Sequence, residues 1–108
     1  MNIDTMEAGR EMDVLISENV FGGECKRIGH TEYYKVGNKY VLIPFYSTDI
    51  AAAWLVVDKM CIHTIRRIIN YAPDSPALWS AEIYYDDPGI GETVQLAICR
   101  VALKAVNP

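Results

Sequence analysis

Three residues at a strand-to-helix junction have the chemistry to hold an anion. The run "KYVLIPFY" ends at Tyr46, and Ser47, Thr48 and Asp49 follow it before an apolar helical pattern begins. The first turn of a helix has four backbone N–H groups without intrahelical partners and carries partial positive charge, which is enough to bind a phosphate. Ser, Thr and Asp are also the commonest capping residues, and Asp49 would repel an anion unless it pointed away. A cap at Ser47 or Thr48 is the favoured interpretation, and an anion site is the alternative.

Three arginines could neutralise such an anion. Arg66 and Arg67 are adjacent in a predicted strand, so their side chains are expected on opposite faces. A charge among isoleucines needs a partner, which is either Glu82 across a predicted hairpin or an anionic ligand. Arg100, in an otherwise apolar C-terminal helix, has the same two alternatives. Pairing within the chain is favoured, because buried charges are usually matched internally.

Aromatic side chains could stack on the base of a nucleotide. The chain has seven tyrosines and two tryptophans, many of them on predicted strands or at strand ends. Such residues serve equally well in a core or an interface, because one end is apolar and the other forms hydrogen bonds. Only convergence with an arginine would favour stacking. The candidates are Tyr33, Tyr34, Tyr46, Trp79, Tyr84 and Tyr85.

The sequence contains no recognisable catalytic or metal-binding constellation. Cys61 and His63 are a possible pair of metal ligands, but a zinc site needs three or four. A cysteine nucleophile needs a histidine base held by a third group, and nothing specifies that arrangement. We therefore expect no metal, no cofactor and no enzymatic activity, and an enzyme that degrades a signal is the least supported class.

Length, charge and cysteine content set the broad class. The 108 residues predict a single domain spanning 1–108, and the formal charge of −4 disfavours binding to a nucleic-acid polymer. No apolar run approaches the ~20 residues of a membrane span, and the acidic, polar N-terminus does not resemble a signal peptide. Three cysteines at scattered positions do not indicate a disulfide framework. A cytoplasmic protein without membrane association is expected.

Hydrophobic periodicity predicts three helices and four strands. Asp4 and Glu7 have capping-box spacing, Gly22-Gly23 would end the first helix, and Gly37-Asn38 indicates a two-residue hairpin turn. The helices are predicted at about 4–21, 48–61 and 93–106, and the strands at Tyr33–Val36, Lys39–Tyr46, Thr64–Tyr71 and Trp79–Tyr85. Residues 25–31 are predicted to be irregular, with a short strand as the alternative. The predicted order is α-β-β-α-β-β-α, an α+β fold in which three helices form an α/β/α sandwich with a mostly antiparallel four-stranded sheet.

The last predicted helix is apolar nearly all round, interrupted only by Gln95, Arg100 and Lys104. A helix with so little polar surface is usually buried or packed against another chain. Leu55 adds an apolar side chain to the second helix. These features predict a homo-oligomer with helix two or helix three at the interface.

Three blocks of sequence together resemble one known family. They are "MEAGREMDVLISENVFG", "YSTDIAAAWLVVDKM" and "QLAICRVALKAV", and their order is more specific than any one of them. The chain resembles the phage ABA sandwich domain family of small phage and prophage proteins. The resemblance implies an α/β/α sandwich, a location in the cytoplasm of the host cell, and no general catalytic activity. Leu55 departs from the acid common at that position, and the segment 61–78 departs from the usual third-strand region.

Two functional hypotheses follow. The first is a non-enzymatic, phage-encoded ligand-binding protein that sequesters a small anionic, nucleotide-type host defence signal. The second is an accessory factor that binds a host protein and blocks or redirects it. The candidate ligand-binding residues under the first hypothesis are Tyr46, Ser47, Thr48, Arg66, Arg67, Trp79 and Arg100.

Overall fold

The structure, a computed structural model, describes residues 2–68, 77–83 and 87–106. Within these ranges a short 3-10 turn at Ile3–Thr5 precedes three α-helices and two groups of three strands. The helices are α1 (Arg10–Asn19), α2 (Ile50–Met60) and α3 (Val94–Val106). The strands are β1 (Cys25–Ile28), β2 (Thr31–Val36), β3 (Lys39–Leu42), β4 (Thr64–Ile68), β5 (Leu78–Glu82) and β6 (Gly89–Gly91).

The strands form two separate three-stranded antiparallel sheets, ordered β1-β2-β3 and β4-β5-β6. An α+β fold consistent with a sandwich is therefore confirmed, but the four-stranded sheet and the predicted element order are not. The difference lies in β1, where the sequence leaves an irregular segment and a short strand open, and in β6, where it predicts no strand. β1 reads Cys-Lys-Arg-Ile and β6 reads Gly-Ile-Gly, so neither has the alternation of apolar residues that marks a strand.

The hairpin turn at Gly37-Asn38 is confirmed. Val36 pairs with Lys39 across it, and Gly37 has a φ of 61°, which glycine adopts without steric cost. A second two-residue turn joins β1 to β2, where Gly29 takes a φ of 66°. The predicted strand Lys39–Tyr46 ends early, at Leu42, and Pro44 follows it without a backbone N–H to donate.

The predicted start of the first helix is wrong. Asp4 lies in the 3-10 turn, where its N–H is capped by the Asn2 side chain, and α1 begins only at Arg10. Gly9 precedes α1 in an extended conformation and separates the two helical segments. The capping-box spacing of Asp4 and Glu7 therefore marked a local turn rather than the helix start.

α3 is the central element of the core. Seven of its residues are buried, and the helix packs on α1, α2, β5 and β6 of the same chain. Its apolar character is therefore explained by burial within one molecule, and α3 gives no argument for an oligomer. The buried residues are Leu96, Ala97, Ile98, Cys99, Val101, Ala102 and Leu103.

Two glycines let β6 lie directly on the α3 backbone. A Cβ added to Gly89 would fall far inside van der Waals contact with backbone atoms of Ala97 and Val101. A Cβ added to Gly91 would come within 2.9 Å of the Ala97 nitrogen and of Leu96 side-chain atoms. Ile90, between them, points away and is exposed. The Gly-x-Gly spacing thus places one glycine-only face of the strand against the helix.

Candidate functional site

The predicted anion site at the β3–α2 junction is occupied by groups of the chain itself. Ser47 is buried, and its hydroxyl oxygen lies 2.6 Å from Oδ1 of Asp13 while accepting the N–H of Gly9 at 2.9 Å. The backbone N–H of Ser47 donates to the same Asp13 oxygen at 2.8 Å. Asp13 is fully buried. Ser47 therefore joins the start of α1 to the β3–α2 junction and has no free group for a ligand.

Arg10 completes this polar cluster. Its guanidinium donates to Oδ2 of Asp13 at 2.9 Å and to the carbonyl of Ile43 at 2.8 Å. The same group lies 4.1 Å from the ring centre of Phe45, a cation–π contact. Asp13 thus accepts from one arginine, one backbone N–H and one hydroxyl, which is the pattern that makes a buried carboxylate tolerable.

Glu32 on β2 lies beside the same arginine. It pairs with Arg27 at 2.7 Å and lies 3.6 Å from Nε of Arg10. Hydrogen bonds from Arg27 hold the pKa of the Glu32 carboxyl below its ordinary value. Sheet β1-β2-β3 is therefore linked to α1 by charged groups, and the carboxylate form of Glu32 is the one they stabilise.

Tyr46 is a core residue. It is buried and stacks on Phe21 with ring centroids 5.3 Å apart. Burial raises the pKa of Tyr46 to about 12. The ring is covered on one face by Phe21 and is not available to stack on a base.

The residue that caps α2 is Asp49, not Ser47 or Thr48. Its Oδ1 accepts the N–H of Ala51 at 3.1 Å, in the usual geometry of an N-cap. Thr48 is exposed, and its backbone carbonyl accepts from the side chain of Gln95 at 3.2 Å. The helix start thus carries a carboxylate, which disfavours an anion there.

The strand arginines and Trp79 belong to sheet β4-β5-β6. Arg66 pairs with Glu82 across β4 and β5 at 2.5 Å, which confirms the internal pairing that the sequence favoured. Arg67 is exposed and lies opposite Trp79 in the strand register. Trp79 is half-buried and packs against the core. The structure therefore gives Arg66 a partner within the chain and places Arg67 opposite Trp79 in the β4–β5 pair.

Arg100 ties distant parts of the chain together. Its guanidinium donates to the carbonyl of Met6 at 2.8 Å and to the carbonyl of Ile90 at 2.6 Å. Lys104, one turn further along α3, lies 2.9 Å from Oδ1 of Asp4 and donates to the carbonyl of Pro88 at 3.1 Å. These bonds attach the N-terminal segment and the β6 region to α3.

A cleft of about 830 Å³ lies where these segments meet. Leu96, Arg100 and Lys104 stand at successive i, i+4 positions on α3 and form one wall. The N-terminal turn and the β6 region form the others. Of the seven candidate ligand-binding residues, Arg100 lines this cleft, and the other six do not. The full lining is Asp4, Thr5, Glu7, Ala8, Leu78, Asp87, Pro88, Ile90, Gly91, Glu92, Thr93, Leu96, Arg100 and Lys104.

The cleft has a mixed charge. Four carboxylic acids, Asp4, Glu7, Asp87 and Glu92, face two cations, Arg100 and Lys104. Two cations can bind a single phosphate or carboxylate, but the acids disfavour a polyanion. The acids can instead accept hydrogen bonds from hydroxyl or amino groups of a ligand.

Two of the three thiols, Cys25 and Cys99, are partly or fully buried, and Cys61 is exposed. Burial raises the pKa of the Cys99 thiol, and burial also raises that of Cys25. His63 lies 2.6 Å from the hydroxyl of its neighbour Thr64. Among residues 2–68, 77–83 and 87–106, no group of three or more His, Cys, Asp or Glu is placed to hold a metal ion. Over the same ranges, no helix is long and apolar enough to cross a bilayer.

Comparison with known proteins decides the family. The model of the phage ABA sandwich domain matches residues 14–103. The chain belongs to this family. The resemblance carried by the three sequence blocks is thereby confirmed, and the match includes all of α2 and β1 through β6.

One solved structure supports the same conclusion about the fold. A phage protein from Bacillus cereus ATCC 14579, known from a 2.0 Å crystal structure, is similar over 98% of each chain with a TM-score of 0.67 and 26% sequence identity. No curated protein matches the chain. The similarity is to a phage protein of this fold, and it extends over essentially the whole domain.

Sequence reasoning missed Asp13, Gly9 and Lys104. Asp13 lies on α1, 34 positions from Ser47, and no local pattern relates them. The available signal was an acid on the apolar face of an amphipathic helix, since Met12 and Ile16, which share that face with Asp13, are buried. Lys104 had been noted only as a polar interruption of the last helix.

Proposed function

We propose that this protein is a non-enzymatic, phage-encoded binding protein that sequesters a small nucleotide-type ligand in the cleft between the N-terminal turn, the β6 region and α3. What supports the proposal is the convergence of Arg100 and Lys104 on a cleft whose 830 Å³ lies within the size range of small-molecule sites. The proposed ligand site thus moves from the β3–α2 junction to the cleft lined by α3, the N-terminal turn and the β6 region, and Arg100 is the candidate residue retained.

The lining chemistry suits one anionic group beside several hydrogen-bond donors. A phosphate would pair with Lys104 and with the outer edge of the Arg100 guanidinium. Sugar hydroxyls and an exocyclic amine would donate to Glu7, Asp87 or Glu92. A nucleotide-type molecule with a single exposed phosphate matches this arrangement, and a chain of phosphates does not, because the carboxylates would repel it.

Recovery of the ligand tests this function. Purified protein is incubated with nucleotide extracts from phage-challenged cells, washed and heat-denatured, and the released molecules are identified by mass spectrometry. A sequestering protein returns its ligand unchanged, whereas an enzyme returns a product. If folded protein with an intact cleft releases no small molecule, the proposal is contradicted.

Lys104→Gln locates the site. Lys104 is preferable to Arg100, because Arg100 makes three hydrogen bonds to backbone carbonyls, whereas Lys104 makes one and otherwise pairs with the exposed Asp4 carboxylate. The Lys104→Gln variant should bind the ligand with a Kd at least about tenfold higher, since a lost charge-assisted bond is worth about 1.5 kcal/mol or more. Lys59→Gln, on the exposed end of α2, is the matched control and should bind as the wild type does.

Asp4→Asn is expected to change the ligand affinity in the opposite direction, by tightening binding. The Asp4 carboxylate is paired with Lys104 at 2.9 Å and competes with an anionic ligand for it. Removing that charge should tighten binding while leaving the fold intact, because the Asp4 side chain is mostly exposed. Weaker binding in both Lys104→Gln and Asp4→Asn would show that the ion pair holds the cleft open instead of contacting the ligand.

A second function, binding and redirection of a host protein, is favoured by one observation. Ile50, Trp54 and Leu55 of α2 are each about half exposed, at 47%, 50% and 50%, and follow one another on the helix surface. Aromatic and large aliphatic side chains with this exposure are frequent at protein interfaces. Retention of a host protein that is abolished by Trp54→Ala, with no small molecule recovered, would favour this function over the first.

A further inference from the structure

We propose that β3 is an interface strand, and that it pairs antiparallel with β3 of a second copy of this chain about a two-fold axis through Val41. The two three-stranded β1-β2-β3 sheets would then form one continuous six-stranded sheet. This surface is separate from the cleft and from the exposed face of α2. The inference stands on the edge chemistry of the sheet and is independent of the proposed ligand.

β3 is exposed on both faces as well as at its edge. All four of its residues are exposed, and Tyr40, Val41 and Leu42 retain 42%, 42% and 44% of their accessible surface. It is an outer strand of its sheet, so one row of its backbone groups has no neighbouring strand. An exposed apolar edge strand is a template for pairing with another chain, and natural proteins usually protect or cover it.

The register with β2 identifies which backbone groups point outward. The N–H of Ile43 donates to the carbonyl of Glu32, so Ile43 is a hydrogen-bonded position of the β2–β3 ladder. Because such positions alternate along an antiparallel pair, Val41 also bonds to β2, and the N–H and C=O groups of Tyr40 and Leu42 point away from it. The free edge therefore presents two N–H and two C=O groups.

This edge is complementary to itself. In a two-fold pair centred on Val41, Tyr40 of one chain lies opposite Leu42 of the other, and the two positions exchange four backbone hydrogen bonds in total. Val41 then lies directly opposite Val41 of the second copy. Apolar side chains meet apolar side chains at every pair, and the two Lys39 ammonium groups stay several residues apart.

The other edge of the same sheet is protected. β1 reads Cys25-Lys26-Arg27-Ile28, and a two-fold pair centred on this strand would place Lys26 or Arg27 close to its own copy. Like charges directly opposite each other destabilise a strand pair. One edge thus carries the lysine and arginine that prevent pairing, and the other carries none between Tyr40 and Leu42. This difference between the two edges favours β3 as a strand that pairs with another chain over β3 as a strand that is only exposed to solvent.

Charge substitution at Val41 tests the interface and its register together. The wild-type protein should show a mass of 24.2 kDa, twice the 12.1 kDa chain, in light scattering at high micromolar concentration. Val41→Lys and Val41→Glu should each be monomeric, because the substitution puts two like charges side by side at the axis. An equimolar mixture of the two variants should recover the mass of a dimer, because lysine then lies opposite glutamate.

Matched variants and amide exchange complete the test. Ile28→Lys, on the exposed end of β1, should leave the dimer intact. Circular dichroism confirms that each variant is folded, and the recovered heterodimer confirms it independently. In the wild type, exchange of the Tyr40 and Leu42 amides should slow at least tenfold as concentration rises, while the Val41 amide, already bonded to β2, should not respond.

Four results would overturn the proposal. The first is a wild-type chain that stays at 12.1 kDa at high micromolar concentration. The second is a dimer that neither Val41 variant dissociates, and the third is a dimer lost with Leu55→Lys but not with Val41→Lys, which would place the interface on α2. Loss of the dimer in both Val41 variants without recovery in their mixture would refute the two-fold register.

Discussion

Replacing Ser47 by alanine distinguishes a structural hydroxyl from a ligand-binding one. The side-chain oxygen of Ser47 lies 2.6 Å from Asp13 and accepts the N–H of Gly9. It has one proton to give, and the shorter contact assigns that proton to Asp13. Ser47→Ala therefore removes a hydrogen bond to a buried carboxylate and leaves the Gly9 N–H without its acceptor.

The expected cost follows from these two losses. A hydrogen bond to a charged group contributes about 2 kcal/mol, and an unsatisfied, partly buried donor costs about 1 kcal/mol more, so the free energy of unfolding should fall by about 3 kcal/mol. For 108 residues at about 2.1 cal/mol/K each, the entropy of unfolding near the midpoint is about 0.23 kcal/mol/K. The Tm should therefore fall by about 13 °C.

Urea unfolding and thermal scans measure this loss, with Thr48→Ala as the control. Thr48 is exposed, and it accepts the Gln95 side chain through its backbone carbonyl, which alanine retains. Its replacement should therefore change the free energy of unfolding by less than about 0.5 kcal/mol. The slope of free energy against urea should stay constant for both variants. A double-mutant cycle with Asp13→Asn should give a coupling of about 1 kcal/mol or more between positions 13 and 47.

The reasoning fails if Ser47→Ala is as stable as Thr48→Ala. That result would mean that the hydroxyl contributes nothing to the folded state, and an anion site at the β3–α2 junction would again be the better explanation of its placement. Retained stability together with lost ligand recovery would establish such a site.

Three further substitutions test the packing, the backbone and the charges. Gly89→Ala should destabilise the fold by about 3 kcal/mol or prevent folding, because its Cβ would collide with the α3 backbone, while Gly9→Ala, which meets no atom within 4 Å, should be near neutral in the same urea titration. Cys61, at the end of α2 with a φ of 54°, is strained, and Cys61→Gly should raise the free energy of unfolding by about 0.5 to 1 kcal/mol in thermal scans. The pKa of Glu32 is lower in the folded than in the unfolded chain, so its contribution to stability is present above the unfolded value near 4.5 and is lost as pH falls through the folded value. Glu32→Gln should flatten the acid limb of the stability profile, and an unchanged limb would exclude this carboxyl as its source.

Local chemistry was sufficient to predict several elements. Gly37 and Asn38 between two apolar runs specify a two-residue turn, because glycine alone takes the required φ without cost, and the turn forms as predicted. The period of apolar residues in α2 and α3 fixes both as helices within one or two residues of the observed ends. The pairing of Arg66 with Glu82 was also expected, since both lie on neighbouring strands of a predicted hairpin.

Other features depend on contacts between distant residues. β6 is a three-residue strand whose only signal is Gly-Ile-Gly, and it exists because those glycines can approach the α3 backbone. Whether the apolar α3 was buried in its own chain or against a second one depended on how α1, α2 and the second sheet surround it. No pattern within α3 carries that information.

The sequence by itself determined the helical cores of α2 and α3 and the tight turn at Gly37, because each depends on residues close together in the chain. It also determined the family, through the order of three blocks along the chain. The tertiary structure decided which polar groups are free to bind. Ser47 is hydrogen-bonded to Asp13, which lies 34 positions away in the sequence. Arg100 is hydrogen-bonded to the carbonyl of Met6, which lies 94 positions away. A buried polar group takes whichever partner the fold brings to it, so its availability to a ligand is a property of the packed molecule and not of the local sequence.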